Sequence, residues 1–284
     1  MKKWGIAFLA SLVVLVLAAC NDSAVPTKGS ENNSELTLEE VYQKALERQN
    51  ELESVSAIVD MEQEMSFGSG EEAIEINSKS DMKMDMITKP LSVYMEGTIG
   101  TGDQEAAEEL NMNLKMYMTE DGLYMHDGLE AYWTKLPTDD FDAILVQTAG
   151  QVNAAEQLEQ MKEFISDFKF EQTDSSFILK LDTSSEKFNE FMLGQLNLNE
   201  MLATEETQQL LQDTKFEKVG YEITINKETF DITEMVNNIN FTMNIEGESI
   251  STISNSKISF NNFNGVEEIT IPQEVIDTAQ EIEY

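Results

Sequence analysis

Three residue types give this 284-residue chain its chemical options: one cysteine, one histidine and sixteen methionines. Cys20 is the only thiol, and it stands behind Leu17-Ala18-Ala19 at the end of an apolar run from Ile6 to Leu17. Lys2 and Lys3 precede that run. A cationic start, a short apolar middle and small residues before a cut are the three parts of a secretory signal. The run is shorter than the roughly 20 apolar residues a membrane span needs. With a single cysteine in the chain, no intrachain disulfide can form. The lone His126 excludes the usual multi-histidine zinc sites.

A Ser–His–Asp set would have to use His126, beside the turn sequence Asp127-Gly128. No Gly-x-Ser-x-Gly elbow and no Ser-x-x-Lys set with its partner motifs accompanies it. Asp139, Asp140 and Asp142 form a carboxylate cluster, but they follow Thr138 at an expected helix start, where acidic residues complement the helix dipole. There is no Gly-rich phosphate loop. The expectation is a protein that is not an enzyme, with no cofactor and no metal.

Ten of the methionines lie between Met61 and Met125, most at strand spacing. Methionine is flexible and polarisable and recurs on surfaces that fit variable apolar partners. Met82, Met84, Met86, Met112, Met116 and Met118 are therefore the candidate lining of a deformable pocket for an apolar or lipidic ligand. The same alternation also fills a core between a sheet and its covering helices, and the sequence leaves both readings open. A soft Cu(I) site from Met82, Met84 and Met86 with Met125 and His126 has the right ligand types, but the surrounding carboxylates suit harder ions. Tyr132 and Trp133 could stack on a sugar, or simply pack on the sheet.

Charge narrows the partners. Eighteen Lys+Arg stand against 54 Asp+Glu, a net of −36, which becomes −38 when Lys2 and Lys3 are removed. Such a surface repels nucleic acid and anionic headgroups, so no nucleic-acid partner is expected.

The elements that must position these residues follow from periodicity. Residues 21–35 are polar, with Asn, Ser, Gly and Glu, and read as a flexible tether. Thr37-Leu38-Glu39-Glu40 is a capping-box sequence, and Leu38, Val41, Tyr42, Ala45 and Leu46 behind it fall on one face of a helix ending near Glu53. The period then becomes 2 through Val55–Phe67, Ile74–Met86, Leu91–Ile99, Leu110–Met118, Leu123–His126 and Tyr132–Leu136, with links too short for crossover helices. Helical patterns follow over 138–150 and 154–168, then strands at 168–172 and 177–182. A further helical region spans 184–213, and long strands span 216–226, 230–245 and 250–263. Ile232 is even while Ile239, Phe241 and Met243 are odd, which predicts a bulge between Thr233 and Asn238. Residues 272–283 read as an acidic tail. One-sided alternation requires helices over one face of a long antiparallel sheet, an α+β arrangement in a single domain.

Leu17-Ala18-Ala19-Cys20 closely resembles a bacterial lipobox. That resemblance implies diacylglyceryl attachment at Cys20, cleavage before it, and a membrane-anchored protein on the extracytoplasmic face. The domain plan is a lipoprotein signal peptide over 1–19, the lipidated cysteine and tether over 20–35, and an α+β domain over 36–284. The lipobox, the Thr-led helix, the run Met116-Tyr117-Met118-Thr119-Glu120-Asp121-Gly122-Leu123-Tyr124-Met125 and Trp133-Thr134-Lys135-Leu136 together resemble a family of uncharacterised lipoproteins from low-GC Gram-positive bacteria. That family is similar to LolA-type carriers and to mycobacterial lipoproteins that carry acylated glycolipids. The resemblance implies a curved antiparallel sheet half-wrapping helices (LolA-like), with an apolar cavity for acyl chains. The expected function is non-enzymatic binding of an apolar or lipidic ligand. Its alternative is an envelope interaction or sensor module with no small ligand.

Overall fold

The computed structural model describes residues 23–68, 73–103, 110–130, 132–136, 154–183, 188, 191, 214–245 and 248–281. The signal run, Cys20, the three aspartates 139, 140 and 142, and the expected helix over 138–150 lie outside them. So does the segment 184–213, expected to be helical, apart from Phe188 and Phe191, which are both helical.

The first helix, α1 (Leu38–Asn50), starts as its sequence dictates. The Glu40 amide donates to the Thr37 hydroxyl at 3.2 Å, and the Glu40 carboxylate accepts from the Thr37 amide at 2.9 Å. Two of the orphan donors at the helix start are thereby satisfied. Val41, Tyr42, Ala45 and Leu46 are buried on one face. Strands β2 (Ser54–Phe67), β3 (Ile74–Thr88), β4 (Leu91–Asp103), β5 (Leu110–Thr119), β6 (Gly122–His126) and β7 (Thr134–Leu136) then run as a meander. Helix α2 (Ala154–Met161) tightens into a 3₁₀ segment, Lys162–Asp167. Strands β8 (Lys169–Gln172), β9 (Ser176–Thr183), β10 (Lys215–Asn226), β11 (Ile232–Ile245) and β12 (Glu248–Asn261) form a second meander. The two meanders join where β12 pairs with β2, Ile258 opposite Val59. With two short terminal strands they make one 13-stranded curved sheet, antiparallel throughout its interior. The expected single α+β domain is borne out.

Register explains the parity change in β11. Ile225 faces Ile232 while Thr224 faces Glu234, so Thr233 has no opposite number. This bulge lies inside the expected segment and turns Met235 and Ile239 onto the face that Ile232 also occupies. That face carries the core. Val55, Ala57, Met84, Met86, Val93, Met116, Met118, Ile223, Met235 and Ile258 are buried there with the apolar face of α1, Leu158 and Phe164. The Tyr42 hydroxyl donates to the Leu158 carbonyl, tying α1 to α2. Arg48 meets Asp231 at 2.7 Å and tethers the end of α1 to the start of β11.

The expected flexible tether needs correction from Ser23 onward. Val25–Pro26 (β1) pairs in parallel with β8, the Thr27 amide donates to the Gln172 carbonyl at 2.8 Å, and Ala24 is buried. Gln172, 1% exposed, donates to the Ala24 and Ser34 carbonyls and accepts from the Ser34 amide at 2.8 Å. Asp174 accepts from the amides of Glu31 and Asn32 at 2.7 and 3.0 Å. A polar segment without apolar periodicity is still held when a sheet edge offers it unpaired backbone groups. The expected acidic tail is likewise structured. It forms α3 (Gln273–Thr278) and β13 (Gln280–Glu281), which pairs in parallel with β7 and is held by Lys135–Glu281 at 2.9 Å. Both sheet edges are thus covered by terminal segments. Among the described residues no helix is long and apolar enough to cross a membrane.

Candidate functional site

The helix-bearing face of the sheet has three bands along the strands. The first is the packed core, where the covering helices sit. In the second, cross-strand neighbours are polar: Asn237 lies opposite Ser256, Ser254 opposite Gln63, and Gln63 opposite Ser78. The Asn237 side-chain oxygen is buried there without a hydrogen-bond partner among the described residues. An unpaired buried carbonyl oxygen costs about 1–3 kcal/mol, so this band presents an acceptor with unused capacity. Tyr221 faces Asn237 across β10 and β11, and burial pushes its phenol up to about 12. That phenol stays neutral at any physiological pH.

Past the polar band the face turns apolar again without becoming fully buried. Met65 faces Ile76, Ile99 faces Met112, and Met243 faces Ile250, which in turn faces Phe67. All seven are only half-buried, and Ile74 at the end of β3 is 60% exposed. Alternation accounts for their direction, since each sits in register with core residues of the same strand. Their burial differs because the described helices lie over the other end. The arrangement is a half-open apolar trough ending at a polar band.

The six methionines singled out in the sequence all lie on this face but divide between its ends. Met84, Met86, Met116 and Met118 are 2%, 4%, 8% and 0% exposed, with Met82 at 7%. The first four are packed into the core cluster. Met82 lies over Gly97, where an added Cβ would stand 2.6 Å from its sulfur and 2.1 Å from the Asp81 carbonyl. Only Met112 belongs to the half-open trough. Residues not foreseen as ligand-facing, Met65, Phe67, Ile99, Phe241 and Met243, share that end with it. The odd-numbered alternation in β2, β4 and β11 was the signal for them, but alternation alone does not tell the fully buried end from the half-buried one.

The Cu(I) set is not assembled. Met125 pairs with Met116 on the helix-bearing face, whereas His126 pairs with Lys115 and faces the opposite side. The His126 ring accepts from the Gly128 amide at 3.0 Å and packs 5.4 Å from Trp133. Trp133 also lies 5.6 Å from Tyr117, so it packs on the outer face of the sheet. Cys20 lies outside the described residues.

The chain belongs to a family of unknown function, DUF6612, whose model matches residues 37–280. None of the curated proteins matches it in sequence. Its fold is similar to the crystal structure of LprF from Mycobacterium bovis, at 8% identity over 83% of this chain and 95% of that one, with a TM-score of 0.38. A DUF1329 family protein from Desulfovibrio piger is 10% identical over 79% of this chain and 91% of that one, with a TM-score of 0.22. A beta-barrel-like protein of domain of unknown function DUF1849 from Brucella abortus is 7% identical over 73% and 98%, with a TM-score of 0.16.

Proposed function

We propose that this protein is a lipoprotein anchored through Cys20 on the extracytoplasmic side of the membrane, where it binds an acyl-bearing ligand without catalysis. The observation that carries the reading is the half-open trough. Apolar side chains from β2, β3, β4, β5, β11 and β12 are aligned on one face and left half-buried. Contiguous apolar surface of that kind marks a binding site more often than it occurs by chance on a monomer. The polar band beside it suits a ligand with a polar end. Its unpaired Asn237 oxygen accepts a hydroxyl or amide hydrogen while the chain lies over Met112, Ile99 and Met65. The lipobox resemblance supplies the anchor, and the resemblance to LolA-type carriers points to the same class of ligand.

Native mass spectrometry of the lipidated protein extracted from its own membrane tests this. A bound amphiphile, released by denaturation and separate in mass from the Cys20 modification, is the expected result. Protein free of any co-purifying amphiphile, together with no uptake of a fluorescent fatty acid, would leave an envelope interaction module with no small ligand as the reading.

A further inference from the structure

The outer face of the sheet carries a second arrangement that the trough does not use. Across β2 to β5, Ile58 faces Lys83, Lys83 faces Glu96, and Glu96 faces Lys115. One step along the strands, Asp81 faces Thr98 and Thr98 faces Asn113. These residues line a depression of about 360 Å³. A second depression of about 230 Å³ continues it, sharing Ile58, Lys83 and Glu96 and adding Ser56, Asp85 and Tyr94. Beside Tyr94, outside the two depressions, the outer face turns aromatic. Tyr94 and Tyr117 have ring centroids 4.6 Å apart, and Tyr117 is followed by Trp133 and then His126. The four rings are half-buried. The turn at Asp127–Glu130 lies against β5 beside this end, with the Asn113 carbonyl 2.9 Å from where a Cβ on Gly128 would be.

The chemistry of this groove selects its occupant. Lys83 and Lys115 are exposed and make no ion pair among the described residues, although Glu96 stands between them in register. Glu96 is engaged on one oxygen by the Tyr94 hydroxyl at 2.8 Å. Ammonium donors therefore alternate with carboxylate and amide acceptors along about 10 Å, at about 4.8 Å per strand. An apolar ligand would desolvate those charges without pairing them. A polyanion meets the charge of the whole molecule, −36, and a cation meets two lysines. A polyhydroxylated chain fits, because each hydroxyl both donates and accepts and the C–H faces of sugar rings pack on aromatic rings. We infer that the outer face of β2–β6 is an oligosaccharide-binding groove, with sugar faces on Tyr117 and Trp133 and hydroxyls bonded by Lys83, Glu96, Lys115 and Asn113.

Trp133 is the only tryptophan after Cys20, so the fluorescence of the mature chain reports this face alone. The mature protein is titrated with cellotetraose, maltotetraose and the tetramer of N-acetylglucosamine. Saturable change in Trp133 emission with at least one of them is the expected result. Lys83→Ala with Lys115→Ala should weaken that sugar at least tenfold at an unchanged melting temperature, since neither side chain holds the fold. Met112→Lys, on the other face, should leave sugar binding as it was, which separates this groove from the trough. Silence from Trp133 towards all three sugars, or full-strength binding by the double variant, overturns the inference.

Discussion

The Tyr42 hydroxyl donates to the carbonyl of Leu158, 116 residues away, and joins the first helix to the second above the buried methionines. Tyr42 is 1% exposed, and burial, followed by the charge of Glu159, holds its phenol well above the ordinary tyrosine range. A hydroxyl whose proton is held more tightly in the fold contributes stability that is complete below the unfolded value, about 10. That stability is lost as pH rises through the native value.

Tyr42→Phe should therefore do two things. Near neutral pH it should cost about 1 kcal/mol for the lost hydrogen bond. Above pH about 10 it should flatten the alkaline loss of stability. Denaturant melts from pH 7 to 11 measure both, and an unchanged alkaline limb would mean that Tyr42 does not carry it.

The docked N-terminal segment should loosen in acid. The amides of Asn32 and then Glu31 hold the Asp174 carboxyl below the usual carboxylate range. A lowered native value means the interaction is complete above the unfolded value of about 3.9 and is lost as pH falls through the native one. Amide chemical shifts of Glu31 and Asn32 should titrate with a midpoint below that value, and Asp174→Asn should abolish the titration. A midpoint at or above the unfolded value would show that these bonds do not persist in solution.

Lysine scanning of the helix-bearing face should separate its two ends. Met84→Lys places an unpaired charge at a 2% exposed site in the core and should cost several kcal/mol. Met112→Lys falls in the half-buried trough, where the lysine stem lies along the surface with its ammonium in water. It should lower the melting temperature little and reduce uptake of a fluorescent fatty acid. Equal loss of stability for both would place Met112 in the core as well.

Cys20→Ala should prevent both lipidation and processing, leaving an uncleaved precursor. Two acyl chains at about 0.8 kcal/mol per buried CH₂ hold a protein firmly to a bilayer. Metabolic labelling with an alkyne fatty acid should mark the wild type alone. Equal label on the variant would assign the anchor elsewhere.

Much of this architecture follows from local pattern. The capping box at Thr37–Glu40 sets where α1 begins, because the two groups that satisfy its first amides are three residues apart in sequence. Period-2 alternation assigned the face of each long strand, and the parity change after Ile232 located the bulge at Thr233. What the sequence could not determine depended on partners far along the chain. Residues 23–36 carry no strand or helix periodicity, and they are held because β8, Gln172 and Asp174, more than 130 positions later, satisfy their backbone groups. The same holds for the methionines. Met84 and Met112 have the same alternation and the same chemistry, yet one is core and the other lines the trough, because burial depends on which end of the sheet the described helices cover. The outer groove lay furthest from local reading. Lys83, Glu96, Lys115 and Trp133 meet only through the pairing of β3, β4, β5, β6 and β7, a register set by the fold as a whole.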